Sequence, residues 1–130
     1  MEIRKPAKTY RDLIVWQKAM AAAKVVYEVT ASFPNQETYG LTAQIRRSAT
    51  SIPSNIAEGF GRRGAPEYVR FLLIARGSVF EIETQLQIAC DVGFLCPEDH
   101  ARLSELIDEV ERMLESLIRS VRACVRSSSP

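Results

Sequence analysis

Soft metal ligands are scarce: three cysteines, Cys90, Cys96 and Cys124, and one histidine, His100. An odd number of cysteines without Cys-x-x-Cys spacing argues against a disulfide framework and against a zinc site. A reducing cytoplasm is the expected setting. One histidine supports no Ser/His/Asp set, and the Glu-x-x-His pairs of ferritin-like di-iron bundles are missing. The chain therefore reads as no enzyme, with no catalytic residue, no cofactor and no metal. No apolar run approaches the roughly 20 residues needed to cross a bilayer. MEIRKPAKTY, at the start, holds no apolar signal core. No membrane partner is expected. Strand-like alternation is absent throughout, and no repeat of 20 to 50 residues is visible.

What is present is helical periodicity. At 130 residues the chain is expected to form one domain over residues 1–130, with 1–8 and 127–130 flexible. Thr9 or Asp12 can cap a first helix running to about Ala31, with Leu13, Trp16, Met20, Ala23, Tyr27 and Thr30 at three-four spacing as its core stripe. Phe33-Pro34-Asn35 ends it. A second helix from near Glu37 carries Leu41, Ile45, Ala49, Ile52, Ile56 and Phe60. Pro53 is expected to kink it. Gly59, Gly61 and Gly64 close that helix, and Pro66 with Glu67 opens a third, which runs to about Val92 with Tyr68, Phe71, Leu72, Ala75, Val79, Ile82, Leu86 and Ala89 as its buried face. Gly77 in its middle costs about 1 kcal/mol relative to Ala, which predicts a close approach by another helix. After Gly93, a fourth helix from Pro97 repeats Leu103, Ile107, Val110, Leu114, Leu117, Val121 and Cys124. Four amphipathic helices joined by short turns predict an all-α, antiparallel up-down-up-down four-helix bundle.

The net charge of +1 hides an uneven layout. Residues 1–80 hold twelve Lys/Arg against six Asp/Glu, whereas 81–118 hold two against ten. The layout reads either as helix surfaces that happen to be solvated, the plainer account, or as a basic side and an acidic side. Gly59-Phe60-Gly61-Arg62-Arg63-Gly64 spells GxGxxG, but it follows a helix and lacks a βαβ setting, so helix-ending glycines explain it. Arg62 and Arg63 beside the start of the third helix could hold a phosphate. A polar stripe runs along the second helix through Gln44, Arg47, Ser51, Asn55 and Glu58 to Arg62, a candidate for subunit contacts or for structure. Glu58 and Arg62, four apart, can pair locally. Glu105, Asp108 and Glu109 read as a solvated face of the fourth helix.

YRDLIVWQKA, FPNQETYGLTAQIRRSATSIPSNIAEGFGR and FLLIARGSVFEIETQL, spread over Tyr10 to about Leu95, resemble the bacterial four-helix-bundle proteins encoded within 23S rRNA intervening sequences. The accessory variability proteins of diversity-generating retroelements are similar to these. The resemblance implies a ring-like homopentamer, association with nucleic acid and no enzymatic activity. Arg46, Arg47, Arg62 and Arg63 match the family's recurrent basic motif. The near-neutral charge and the acidic fourth helix depart from a strongly basic nucleic-acid binder.

Two readings follow. In the first, the protein is a non-enzymatic cytoplasmic homo-oligomer that engages RNA or DNA, mainly at phosphate, through Arg46, Arg47, Arg62 and Arg63, with Lys18, Lys24, Arg70 and Arg76 as secondary positions. In the second, it is a protein-interaction module without a nucleic-acid ligand, assembling with itself or with a protein such as a reverse transcriptase.

Overall fold

A computed structural model describes residues 6–127, with side chains for 6–124. Residues 1–5 and 128–130, within the ends expected to be flexible, lie outside the described residues. Four helices make up the fold: α1 (Ile14–Thr30), α2 (Leu41–Phe60), α3 (Ala65–Asp91) and α4 (Pro97–Ser127). Short 3-10 turns at Tyr10–Asp12 and Asn35–Glu37 precede α1 and α2. No strand occurs among the described residues. α1 and α3 each pack on α2 and α4 but not on each other. That cycle of neighbours is the one an up-down-up-down bundle makes.

The expected caps are present in shifted form. Thr9 and Asp12 build a reciprocal capping box on the 3-10 turn, the Thr9 hydroxyl accepting from the Arg11 amide and the Asp12 carboxylate accepting from the Thr9 amide. α1 then starts two residues beyond Asp12. Between α3 and α4, Gly93 has φ +84°, and the Phe94 and Leu95 amides both donate to the Ala89 carbonyl. Glycine takes that left-handed turn without the Cβ penalty of other residues. α2 runs through Pro53 without leaving helical geometry.

One continuous core joins all four helices, with Ile45 and Ile56 of α2, Leu72, Val79 and Leu86 of α3, and Leu103, Ile107 and Leu114 of α4 fully buried. The expected stripes of α2 and α3 are buried except at their ends, where Leu41, Phe60 and Tyr68 are half-buried. α4 agrees as far as Leu114, after which Ile118 is buried and Leu117 and Val121 are half-buried. α1 differs. Its buried face is Val15, Ala19, Ala22, Val25 and Val26, joined by the expected Ala23 and Thr30. Leu13, Trp16 and Met20 are only half-buried, and Tyr27 is exposed. The helix carries two apolar stripes, and the one built from small Val and Ala side chains lets α1 sit closest to its neighbours.

Glycines also divide differently from expectation. Gly59 lies within α2 and is buried. A Cβ built there would stand 2.8 Å from Phe71 Cβ and 3.2 Å from the Tyr68 carbonyl oxygen, so this glycine sets the close approach of α2 to α3. Gly77 was expected to make such an approach. It is exposed, with nothing among the described residues within 4 Å of a built Cβ.

Candidate functional site

The eight basic candidates do not share one environment. Arg46 is tied down: its Nε donates to Thr30 Oγ1 at 2.9 Å, its Nη2 donates to the Tyr27 carbonyl at 3.4 Å, and its guanidinium lies 4.5 Å from the Tyr27 ring centroid. Arg46 thus clamps α2 to the end of α1. Arg47, one residue on, points elsewhere and is exposed. Arg62 pairs with Glu58 and stacks 4.9 Å from the Phe71 ring centroid. Arg70 pairs with Glu67, whose carboxyl this contact holds below the usual carboxylate range. Lys18 pairs with Glu109 at 3.2 Å and Arg76 with Glu115 at 2.9 Å, both across to α4. Arg47, Arg63 and Lys24 are exposed and have no carboxylate within ion-pair distance among the described residues.

The polar stripe of α2 also splits. Gln44, Arg47 and Glu58 face solvent. Ser51 and Asn55 lie half-buried in the seam with α3, where the Ser51 and Ser78 hydroxyls meet at 2.8 Å and Asn55 Nδ2 donates to Ser51. Ser48, one turn before, is buried and donates to Glu81 Oε1 at 2.5 Å. This part of the stripe is internal mortar between α2 and α3.

Two features escaped the reading of the sequence. The first is an apolar groove of about 740 Å³ between α1 and α2, lined in part by Tyr10, Trp16, Met20, Tyr27, Pro53 and Ala57. Lys24 lines it too, and Arg11 stacks on Tyr10 and Trp16 at its rim. The signal was visible as the Trp16, Met20, Ala23, Tyr27 spacing, which fits a core stripe equally well.

The second is a carboxylate cluster. Oxygens of Glu83 on α3 and of Asp108 and Glu111 on α4 lie within 4.8 Å of one another. Burial, then the charges of Glu111 and Asp108, push the Glu83 carboxyl above its ordinary value. No basic side chain pairs with the three among the described residues. As donors they suit a hard cation, though three oxygens fall short of the six to eight that calcium takes. Only the folded chain brings α3 and α4 together here, so no linear spacing announces the cluster.

No described helix is long and apolar enough to cross a membrane. The family model of the 23S rRNA-intervening sequence protein matches residues 11–116. The chain belongs to this family. Among solved structures, it is similar to the crystal structure of a protein of unknown function from the S23 ribosomal protein family of Bacteroides thetaiotaomicron. That similarity has 24% identity, covers 81% of this chain and 98% of the other, and has a TM-score of 0.73. At that identity the likeness speaks for the shared fold. No curated protein matches the chain. The match begins at Arg11, just past Thr9 and Tyr10 of the capping turn, and takes in the rest of the α1/α2 groove, the GxGxxG turn, the carboxylate cluster and most of α4.

Proposed function

We propose that the protein is a non-enzymatic, homo-oligomeric scaffold that binds RNA or DNA at phosphate, pentameric by the family resemblance. The observation carrying this reading is the pair of exposed, uncompensated arginines, Arg47 on α2 and Arg63 in the α2–α3 turn, both within the basic motif. A phosphate can bind them without first displacing a carboxylate. Arg62, Arg70, Arg76 and Lys18 must each give up an ion pair and contribute less, although such surface pairs are worth only about 0 to 1 kcal/mol. Arg46 supports the surface by holding α1 to α2.

The test is a titration of single-stranded and duplex RNA and DNA at several salt concentrations. Binding that weakens as salt rises, with the slope reduced by about 1 for each of Arg47→Ala and Arg63→Ala, is expected. Salt-independent binding, or none at low salt, overturns the nucleic-acid reading.

An exposed apolar face on α3, formed by Leu73, Ile74, Phe80 and Ile88, favours the second reading, a module that binds protein alone. An unaltered chain that binds no nucleic acid at low salt, and whose oligomer collapses on charge reversal at Arg46 and Arg47, decides for it, with a reverse transcriptase among the partners to try.

A further inference from the structure

Two unpartnered apolar surfaces stand on different sides of the same chain, one convex and one concave. The convex one is a ridge on α3. Leu73, Gly77, Phe80, Thr84 and Ile88 recur every three to four residues, with Leu73 38%, Phe80 44% and Ile88 48% exposed. Large apolar side chains on a helix face away from the core mark an interaction surface more often than solvent alone explains. Gly77 lies midway along the ridge, where a glycine weakens the helix and touches nothing of its own chain. It leaves a notch between Leu73 and Phe80. The concave surface is the α1/α2 groove, whose apolar walls have no occupant among the described residues.

Charge borders these surfaces with opposite sign. Carboxylates flank the ridge, Glu81 toward α2 and the Glu83–Asp108–Glu111 cluster toward α4. Cations flank the groove, Arg11 and Lys24 on the α1 side and Arg46 on the α2 side. Glu28 in the groove and Arg76, which stacks on Phe80, are the exceptions. Neither the three-carboxylate cluster nor Arg11 and Lys24 find a counter-charge among the described residues of one chain. A second copy supplies both.

We propose that the α3 ridge of one copy seats in the α1/α2 groove of the next, with Phe80 as the inserted side chain and the acidic cluster facing Lys24 and Arg11. This rests on the homo-oligomer reading and names the two faces that meet. Because each chain carries one ridge and one groove, the contact is head-to-tail, and it propagates until the rotation closes a ring. Complementary borders fix register and disfavour ridge-on-ridge pairing, which would set carboxylates against carboxylates.

The experiment uses the full chain and two variants at exposed positions, Phe80→Glu on the ridge and Ser54→Glu in the groove, sized by light scattering after gel filtration. Circular dichroism checks the helices. Each variant alone is expected to be a monomer where the unaltered chain is fully assembled, and an equimolar mixture is expected to form a one-to-one heterodimer through the intact ridge and the intact groove. Where a variant loses its helices, Ser54→Cys and Phe80→Cys chains, with Cys90, Cys96 and Cys124 changed to serine, are mixed with a bismaleimide instead. A cross-linked pair supports the contact, and its absence overturns it.

If the unaltered chain assembles and either glutamate variant keeps that size, the inference fails while the oligomer stands. A mixture that stays monomeric overturns it as well. An unaltered chain that is itself monomeric overturns both the oligomer and this contact, and the salt titration still judges nucleic-acid binding separately.

Discussion

The same substitution, glycine to alanine, is expected to have opposite effects at two helical positions, Gly59 and Gly77. In a helix interior alanine is favoured over glycine by about 1 kcal/mol, because it restricts the unfolded chain more. At Gly77 nothing lies within 4 Å of the new methyl group, so the whole of that gain is expected in the protomer. At Gly59 the methyl carbon falls 2.8 Å from Phe71 Cβ and 3.2 Å from the Tyr68 carbonyl oxygen. Neither obstacle is the end of a flexible side chain, so α2 and α3 must separate. Overpacking of this kind costs about 1 to 3 kcal/mol. The propensity gain offsets part of it, and Gly59→Ala is expected to lose about 1 to 2 kcal/mol net, near the end of α2 where propensity counts least. The two variants should then differ by about 2 to 3 kcal/mol. For a domain of this size that is a separation of about 10 °C between their melting temperatures. Urea denaturation followed by circular dichroism measures it, at concentrations low enough that the midpoint no longer depends on concentration. A Gly59→Ala chain as stable as the unaltered one would refute the close approach of α2 to α3. A Gly77→Ala chain that is destabilised would refute the open space at that position.

Arg46→Ala is expected to lower stability by about 1 to 2 kcal/mol through loss of the Thr30 and Tyr27 contacts, while Arg47→Ala changes stability by less than about 0.5 kcal/mol and weakens phosphate binding more; urea melts and salt titrations on both chains check this crossover. Glu83→Gln is expected to stabilise the monomeric protomer at neutral pH. Glu83's folded-state pKa is raised by burial and by Glu111 and Asp108, so the folded state holds the proton more tightly than the unfolded one and loses stability as pH rises through that pKa. The gain from Gln should fade as pH falls to the ordinary carboxylate range, and a gain independent of pH contradicts the assignment. If the proposed contact holds, the same substitution weakens the assembly, since it removes charge that would face Lys24 and Arg11 of the next copy.

How legible the fold was depended on how many apolar stripes a helix carries. α2 and α4 each have one dominant stripe, so spacing alone identified Ile45 and Leu103 as core; on α3 it identified Leu72, while the second apolar row through Leu73, Phe80 and Ile88 went unmarked. α1 has two, and periodicity cannot rank them. The preference for the Val25 and Val26 side over the Trp16 and Tyr27 side comes from how closely α2 and α4 can approach, a tertiary property. That misassignment hid the groove. Gly59 and Gly77 were ambiguous for a related reason, because a glycine states that a Cβ is unnecessary without saying what replaces it. The carboxylate cluster needed the register of α3 against α4, which no local pattern contains. Among the arginines, sequence could say that Arg46 and Arg47 diverge by about 100 degrees around α2. It could not say which of them meets Thr30.

A near-neutral chain can bind a polyanion only if the cations of its candidate surface are spared by its own carboxylates, and half of the eight basic candidates are not. Within one protomer, Lys18, Arg62, Arg70 and Arg76 are spent on Glu109, Glu58, Glu67 and Glu115. Arg46 is held by Thr30 and Tyr27, and if Lys24 serves the groove between copies, Arg47 and Arg63 are the two of the eight candidates left for phosphate. Two phosphate contacts give a salt slope of only roughly −1.4 to −1.8, too shallow for tight binding by one copy. Repetition changes this, since linked copies on one nucleic acid add their contacts and bind as a multivalent surface, with avidity 10² to 10⁴ above a single site. On the proposed reading, tight binding follows assembly. The monomeric Phe80→Glu and Ser54→Glu chains, which retain every arginine, are expected to lose nucleic-acid affinity by about two orders of magnitude and to show the shallow slope of a single protomer. Full affinity in either monomer would mean that one copy carries the whole site, and the ring would then have to serve some other purpose.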